Sequence, residues 1–139
     1  MHRFVILLVC LIGADAGTKL HDLFVSETNR FLSQCLSESS ADQAEFDKLI
    51  SHKIPTTREG MCLITCFQQK LGVQNANGTM NKEGIFTFIE SLKPDSSYNQ
   101  IKDVLIGCLT TGASVDDKCA AGSKYYECAI NIGEKKGIL

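Results

Sequence analysis

An all-α domain is the fold class this sequence predicts, and three observations predict it. Apolar residues recur at helical spacing along almost the whole chain. Helix-start signals stand ahead of several of those stripes. Six of the seven cysteines are spaced as staples between helices. β-strand alternation is nowhere sustained. The chain reads as about six helices.

The first covers residues 18–37, where Leu20, Phe24, Phe31 and Cys35 form a stripe flanked by Leu23 and Leu32. Ser40-x-x-Gln43 reads as a capping box opening a short helix whose inner face is Phe46, Leu49 and Ile50. Pro55 stops the chain. Thr56-x-x-Glu59 reads as a second capping box, ahead of a helix carrying Met61, Cys62, Ile64, Cys66 and Leu71, with Gly72 as its C′ residue. Asn75-Ala76-Asn77-Gly78 is a turn, since Asn and Gly tolerate positive φ. Ile85, Phe88, Ile89 and Leu92 then fall at i, i+3, i+4 and i+7, and Lys93-Pro94 ends that helix. Ser97-x-x-Gln100 opens the next, with Ile101, Val104, Leu105, Cys108 and Leu109 on its face. Tyr125, Cys128, Ala129 and Ile132 mark the last.

The cysteine gaps from Cys35 to Cys128 read C-x26-C-x3-C-x41-C-x10-C-x8-C. The x3 and x8 gaps are each read as two sulfurs on one face of one helix. At i and i+4, Cys62 and Cys66 are too far apart for an unstrained mutual bond, so each reaches a different segment. Beyond that, the connectivities six cysteines allow stay open.

The N-terminus reads as a secretory leader over residues 1–16. Met1-His2-Arg3 is a positive start, Phe4 to Ile12 an apolar run too short to span a bilayer, and Ala14-Asp15-Ala16 a small-residue cleavage region before Gly17. Removing it takes Cys10 and leaves an even six cysteines for an oxidising compartment. Residues 17–139 then form one domain without repeat, linker or low-complexity tract.

Several function classes find no support. Net charge is −2, which gives no footprint for nucleic acid, and no second apolar stretch is long enough to insert in a membrane. Beyond the leader stand two histidines, His21 and His52, both in polar, surface-type contexts. No nucleophile elbow, His-Glu-x-x-His or phosphate loop occurs, so the chain is read as no enzyme and as needing no cofactor or metal. The segment from Val73 to Gly84 is no calcium loop, because both ends lack the required carboxylate. Asn77-Gly78-Thr79 is a formal N-glycosylation sequon.

The leader, the short helices and the cysteine spacings, above all Cys62-x3-Cys66 and Cys119-x8-Cys128, resemble the insect odorant-binding proteins of the pheromone-binding and general odorant-binding group, in their six-cysteine form. The resemblance covers the whole of residues 17–139. It implies helices around an internal apolar cavity, and interlocked disulfides pairing Cys35 with Cys66, Cys62 with Cys119 and Cys108 with Cys128. It implies a secreted carrier, in sensillum lymph or another body fluid, that binds small hydrophobic odorants or pheromones and brings them to olfactory receptors, as monomer or homodimer. A non-olfactory carrier of the same fold, or a secreted disulfide protein acting on a protein or membrane surface, are the alternatives.

Within that frame the residues assigned to the ligand wall are Phe24, Met61, Ile64, Met80, Phe88, Leu105, Leu109 and Tyr125. Of the adjacent Tyr125 and Tyr126, one is read as facing inward and one as lying at a rim. A tyrosine in the pocket would offer a hydroxyl to a ligand's polar end. The tail, Lys135-Lys136-Gly137-Ile138-Leu139, reads as a polar hinge with an apolar tip, either a lid or a frayed end. Some members of that family couple release to falling pH through the tail and acidic or histidine side chains, and here His21 and His52 are the two histidines open to that role.

Overall fold

The computed structural model describes residues 16–93, 97–111 and 116–138, with side chains from Lys19. The leader up to Asp15, Pro94 and the Leu139 tip lie outside the described residues. Six α-helices run along the described chain: α1 (Ala16–Ser39), α2 (Gln43–Ile50), α3 (Arg58–Lys70), α4 (Lys82–Ile89), α5 (Tyr98–Gly107) and α6 (Lys118–Lys135). A 3-10 turn (Glu90–Leu92) extends α4. No strand occurs among the described residues; one isolated bridge, Gln74 to Met80, closes the Asn75–Gly78 turn.

Two helix starts differ from the capping boxes expected. Ser40 takes a φ of 60° and terminates α1, so Asp42 caps α2, its carboxylate accepting from the Glu45 amide at 3.1 Å. One residue after Thr56, Thr57 caps α3, its hydroxyl accepting from the Gly60 amide at 3.0 Å. Asp117 caps α6, accepting from the Cys119 and Ala120 amides at 2.8 and 3.1 Å. Arg58 at the start of α3 pairs with the same carboxylate at 2.6 Å, so the two helix starts are tied together. The Arg58 guanidinium first, then the Ala120 amide, hold Asp117 below the usual carboxylate range.

Three helices end in the same device, a residue in the left-handed region with paired 5→2 and 6→1 backbone bonds. Gly72, at φ 79°, fills the C′ position the sequence assigned to it: its N–H reaches Gln69 O at 3.1 Å, and Val73 N–H reaches Gln68 O at 2.9 Å. Gly137, at φ 69°, repeats this after α6, with Ile138 N–H on Gly133 O at 2.9 Å. After α2 the position belongs to His52, at φ 61°, where a side chain costs about 1 kcal/mol or more relative to glycine. The tail is thus neither a free lid nor frayed up to Ile138. The motif turns Ile138 inward until it is only 6% exposed.

The disulfides join Cys35 to Cys66, Cys62 to Cys119, and Cys108 to Cys128, the pairing the resemblance implied. Cys62 and Cys66 share α3 and reach α6 and α1 respectively. The x8 pair behaves differently from expectation. Nine residues are two and a half helical turns, so Cys119 and Cys128 point to opposite sides of α6. That half-turn lets α6 hold α3 with one sulfur and the end of α5 with the other.

α3 and α6 approach each other closely at Gly122. A Cβ there would overlap Thr65 Oγ1 and lie 2.8 Å from the side-chain oxygens of both Gln68 and Gln74. Gln68 Nε2 donates to Gly122 O at 3.2 Å, Thr65 Oγ1 to Lys118 O at 3.2 Å, and Gln74 Nε2 to Lys118 O at 3.0 Å. A glycine on α6 and polar bonds from α3 and the turn after it fix this crossing, where Gln68 Oε1 and Gln74 Oε1 are buried without a hydrogen-bond partner among the described residues.

Candidate functional site

The buried apolar residues fall into three groups. One joins α1, α2, α3 and α6 through Phe46, Leu49, Leu63, Ile64, Phe67, Tyr126 and Ile130. A second joins the end of α4, the 3-10 turn, α5 and the tail through Ile89, Leu92, Ile101, Val104 and Ile138. A third, Val73, Ile85, Cys108 and Tyr125, ties α4 and α5 to α6. Between them lies a cavity of about 110 Å³ whose wall takes residues from all three.

Helix periodicity explains the wall. α3 and its C-terminal turn present Ile64, Gln68 and Leu71, at i, i+4 and i+7, and α6 presents Tyr125, Tyr126, Ala129, Ile130 and Gly133. α1 adds Leu20, His21 and Phe24, α4 adds Ile85 and Phe88, and α5 adds Ile101, Val104 and Leu105. Two helix-ending motifs supply Val73 and Ile138, the apolar residues that follow such motifs and pack back on them.

Five of the eight residues assigned from sequence border this cavity: Phe24, Ile64, Phe88, Leu105 and Tyr125. Three do not. Met61 sits half-buried near the start of α3, whereas the cavity meets only the later turns of that helix. Met80 precedes α4 and Leu109 follows α5, and both pack against the Val73–Ile85–Cys108–Tyr125 group from outside. All three belong to the right helices or their flanks but to the wrong turn.

The tyrosines also correct the expectation. Both are buried, at 5% and 7% exposure, and both border the cavity. Tyr125 donates its hydroxyl to Leu105 O and Tyr126 to Leu49 O, each at 2.8 Å. Burial pushes both phenols well above their ordinary pKa, so they stay neutral. Their protons brace α6 against α5 and α2.

The polar groups that sequence reasoning missed are the two histidines. They do not stand alone on the surface. His21 on α1 and His52 after α2 meet edge to face, with Nδ1 of His21 3.1 Å from Nε2 of His52 and ring centroids 5.0 Å apart. Both are half-buried and both border the cavity. Burial first, then the neighbouring His21, lower the His52 pKa below the usual imidazole value, while Glu134 acts the other way. No local signal pairs residues this far apart in sequence. A positive φ at histidine, visible only in the backbone, is the feature that sets His52 apart.

Among the described residues no three His, Cys, Asp or Glu side chains gather as a metal site, and no helix is long and apolar enough to cross a membrane. The model of the PBP/GOBP family matches residues 19–131. The chain is similar to general odorant-binding protein 19d of Drosophila melanogaster, at 23% identity over 99% of this chain and 94% of that protein. It is also similar to general odorant-binding protein 57c of the same organism, at 23% identity over 92% of this chain and 86% of the other. Among solved structures, odorant-binding protein dmelOBP28a from Drosophila melanogaster superposes with a TM-score of 0.64 at 21% identity, covering 88% of this chain and 99% of that one. With its family match spanning most of the domain, the chain belongs to the PBP/GOBP family.

Proposed function

We propose that this protein is a secreted carrier that reversibly buries small hydrophobic molecules of the odorant class and releases them at receptors, with no chemical step. The observation that supports it most is the cavity bounded by three separate core groups. Its wall is apolar except for Gln68, two tyrosines already bonded to main chain, and the histidine pair. The volume is of the order of an apolar protein cavity of ~150 Å³ that stays dry and admits a benzene-sized guest. Small volatile molecules therefore fit with little rearrangement, and long chains only with displacement of the wall.

The binding force is removal of apolar ligand surface from water. For ~200–300 Å² at ~25 cal/mol per Å², it gives at most about 5–7 kcal/mol, or affinities from sub-millimolar to micromolar. The disulfides offset the packing lost around such a space, which costs stability in proportion to its volume. Secretion is proposed from the leader: protein exported by an insect cell should begin at Gly17 on N-terminal sequencing.

The test of the carrier is displacement of an environment-sensitive apolar dye from the purified, oxidised protein by a panel of alcohols, aldehydes, esters and hydrocarbons. Graded displacement is the expected result. A folded, fully oxidised protein that takes up no dye and no panel member would overturn the reading.

A further inference from the structure

We infer that the His21–His52 pair is the polar end of the cavity, and that it selects ligands carrying one neutral hydroxyl. This rests on the carrier reading above and names the ligand class for the same cavity. The other polar groups on the wall are engaged or turned away: Gln68 Oε1, buried without a hydrogen-bond partner among the described residues, lies against Gly122 at the α3–α6 crossing. Tyr125 and Tyr126 donate to Leu105 O and Leu49 O, and the Gln68 amide is turned onto Gly122 of α6. The two imidazoles bond to each other through one nitrogen apiece. Among the described residues neither His21 Nε2 nor His52 Nδ1 has a hydrogen-bond partner.

A neutral pair sharing one proton at 3.1 Å has a fixed inventory. If His21 donates, its outer nitrogen is an acceptor and the outer nitrogen of His52 a donor. If His52 donates, the roles exchange. Either way the pair offers one donor and one acceptor, and a tautomer change swaps their places. A hydroxyl, itself one donor and an acceptor, can meet whichever nitrogen it encounters. A hydrocarbon leaves both unpaired. A carboxylate accepts only, carries charge into a half-buried site, and approaches Glu134, the acidic group on α6 that acts on His52. The backbone supports a ligand role: holding His52 at φ 61° strains a position that glycine would fill freely, and that strain places its ring against His21 at the cavity.

Matched probes of one skeleton test this: phenethyl alcohol, ethylbenzene and phenylacetate, competing with the dye on wild-type protein and on His21→Leu, His52→Gly and the double variant. Glycine is chosen at 52 because it suits the left-handed backbone and carries neither a side-chain donor nor an acceptor. The expected result is an alcohol affinity reduced about five- to tenfold in the double variant, the range for losing one buried hydrogen bond, with ethylbenzene within about twofold of wild type. Phenylacetate should bind wild type more weakly than either. His21→Gln, which keeps an amide donor and acceptor, should retain most of the alcohol affinity. Equal losses for alcohol and ethylbenzene, or no loss for either, would overturn the proposal while leaving the carrier reading intact. Absence of dye and probe binding in wild type would overturn both. A measurement on wild type alone guards against a variant that misfolds. The imidazole nitrogen resonances should shift with phenethyl alcohol and not with ethylbenzene, and unchanged resonances with a bound alcohol contradict the assignment.

Discussion

The two sides of this domain are held together differently. On one side α1, α3 and α6 are joined by Cys35–Cys66 and Cys62–Cys119, by the Arg58–Asp117 pair and by the polar crossing at Gly122. On the other, α4 and the 3-10 turn are held by burial of residues such as Ile85, Ile89 and Leu92 against their neighbours, and α5 is tied to α6 by Cys108–Cys128 at its end. The cavity lies between them. Cross-links and close polar contacts lock a crossing in place, whereas apolar contacts with space beside them can shift to admit a guest. The bonded side is expected to act as the frame, and α4, the 3-10 turn and α5 as the part of the wall that gives way to a guest.

Removing the staples one at a time should give the largest effects. In the chain-entropy description a bridge closing 57 residues, Cys62–Cys119, is worth about 4 kcal/mol, and the 20-residue bridge Cys108–Cys128 about 3. Paired alanine substitutions followed by urea unfolding should rank them in that order. Loss of Cys108–Cys128 should also weaken dye binding more per unit of stability lost, because it frees the cavity side.

A pair of substitutions on α6 sharpens the contrast within one helix. Gly122→Ala puts a methyl into Thr65, Gln68 and Gln74 and should cost about 2–3 kcal/mol. Ala129→Leu, two turns later on the cavity wall, adds more volume and should cost less than about 1 kcal/mol while reducing dye affinity. Thermal unfolding and dye titration on both variants check this. Equal destabilisation would mean the two regions are packed alike.

Titration gives smaller effects with opposite signs at the two ends of the pH scale. Tyr125 and Tyr126 have raised pKa values in the fold, so the unfolded chain loses those protons first. Stability should therefore be full below the ordinary phenol value of 10.0 and fall as pH rises beyond it. His52 is lowered, so the unfolded chain binds that proton more tightly; stability should be complete above the ordinary value of 6.5 and decline as pH falls below it. The acid effect should be the weaker one, since His52 is half exposed, and replacing His52 by Asn should remove it. Urea midpoints across pH measure both.

The frame was far more legible in the sequence than the wall. The helical stripes and Gly72 as a helix end are local signals, each readable within one or two turns, and the cysteine pairing is what the family resemblance implies. Which turn of a helix faces the cavity is set by what stands opposite. Ile64 and Met61 are therefore equally plausible from periodicity, yet only Ile64 reaches the cavity. Ile138 looked like a loose tip because its inward turn depends on Gly137 adopting a positive φ and on a groove made by α4 and α5. His21 and His52 each read as solvated polar residues, since their meeting depends on the end of α2 returning to the first turns of α1. The x8 spacing puts a half-turn between Cys119 and Cys128, which is how one helix serves two bridges.

Native-state hydrogen exchange with and without a saturating apolar ligand tests the central claim most directly. The predicted result is slowed exchange concentrated in α4, the 3-10 turn and α5, Lys82 to Gly107, with α3 and the start of α6 already slow and little changed. Protection gained evenly over the chain, or chiefly across the α3–α6 crossing, would contradict a fixed frame facing an adaptable wall.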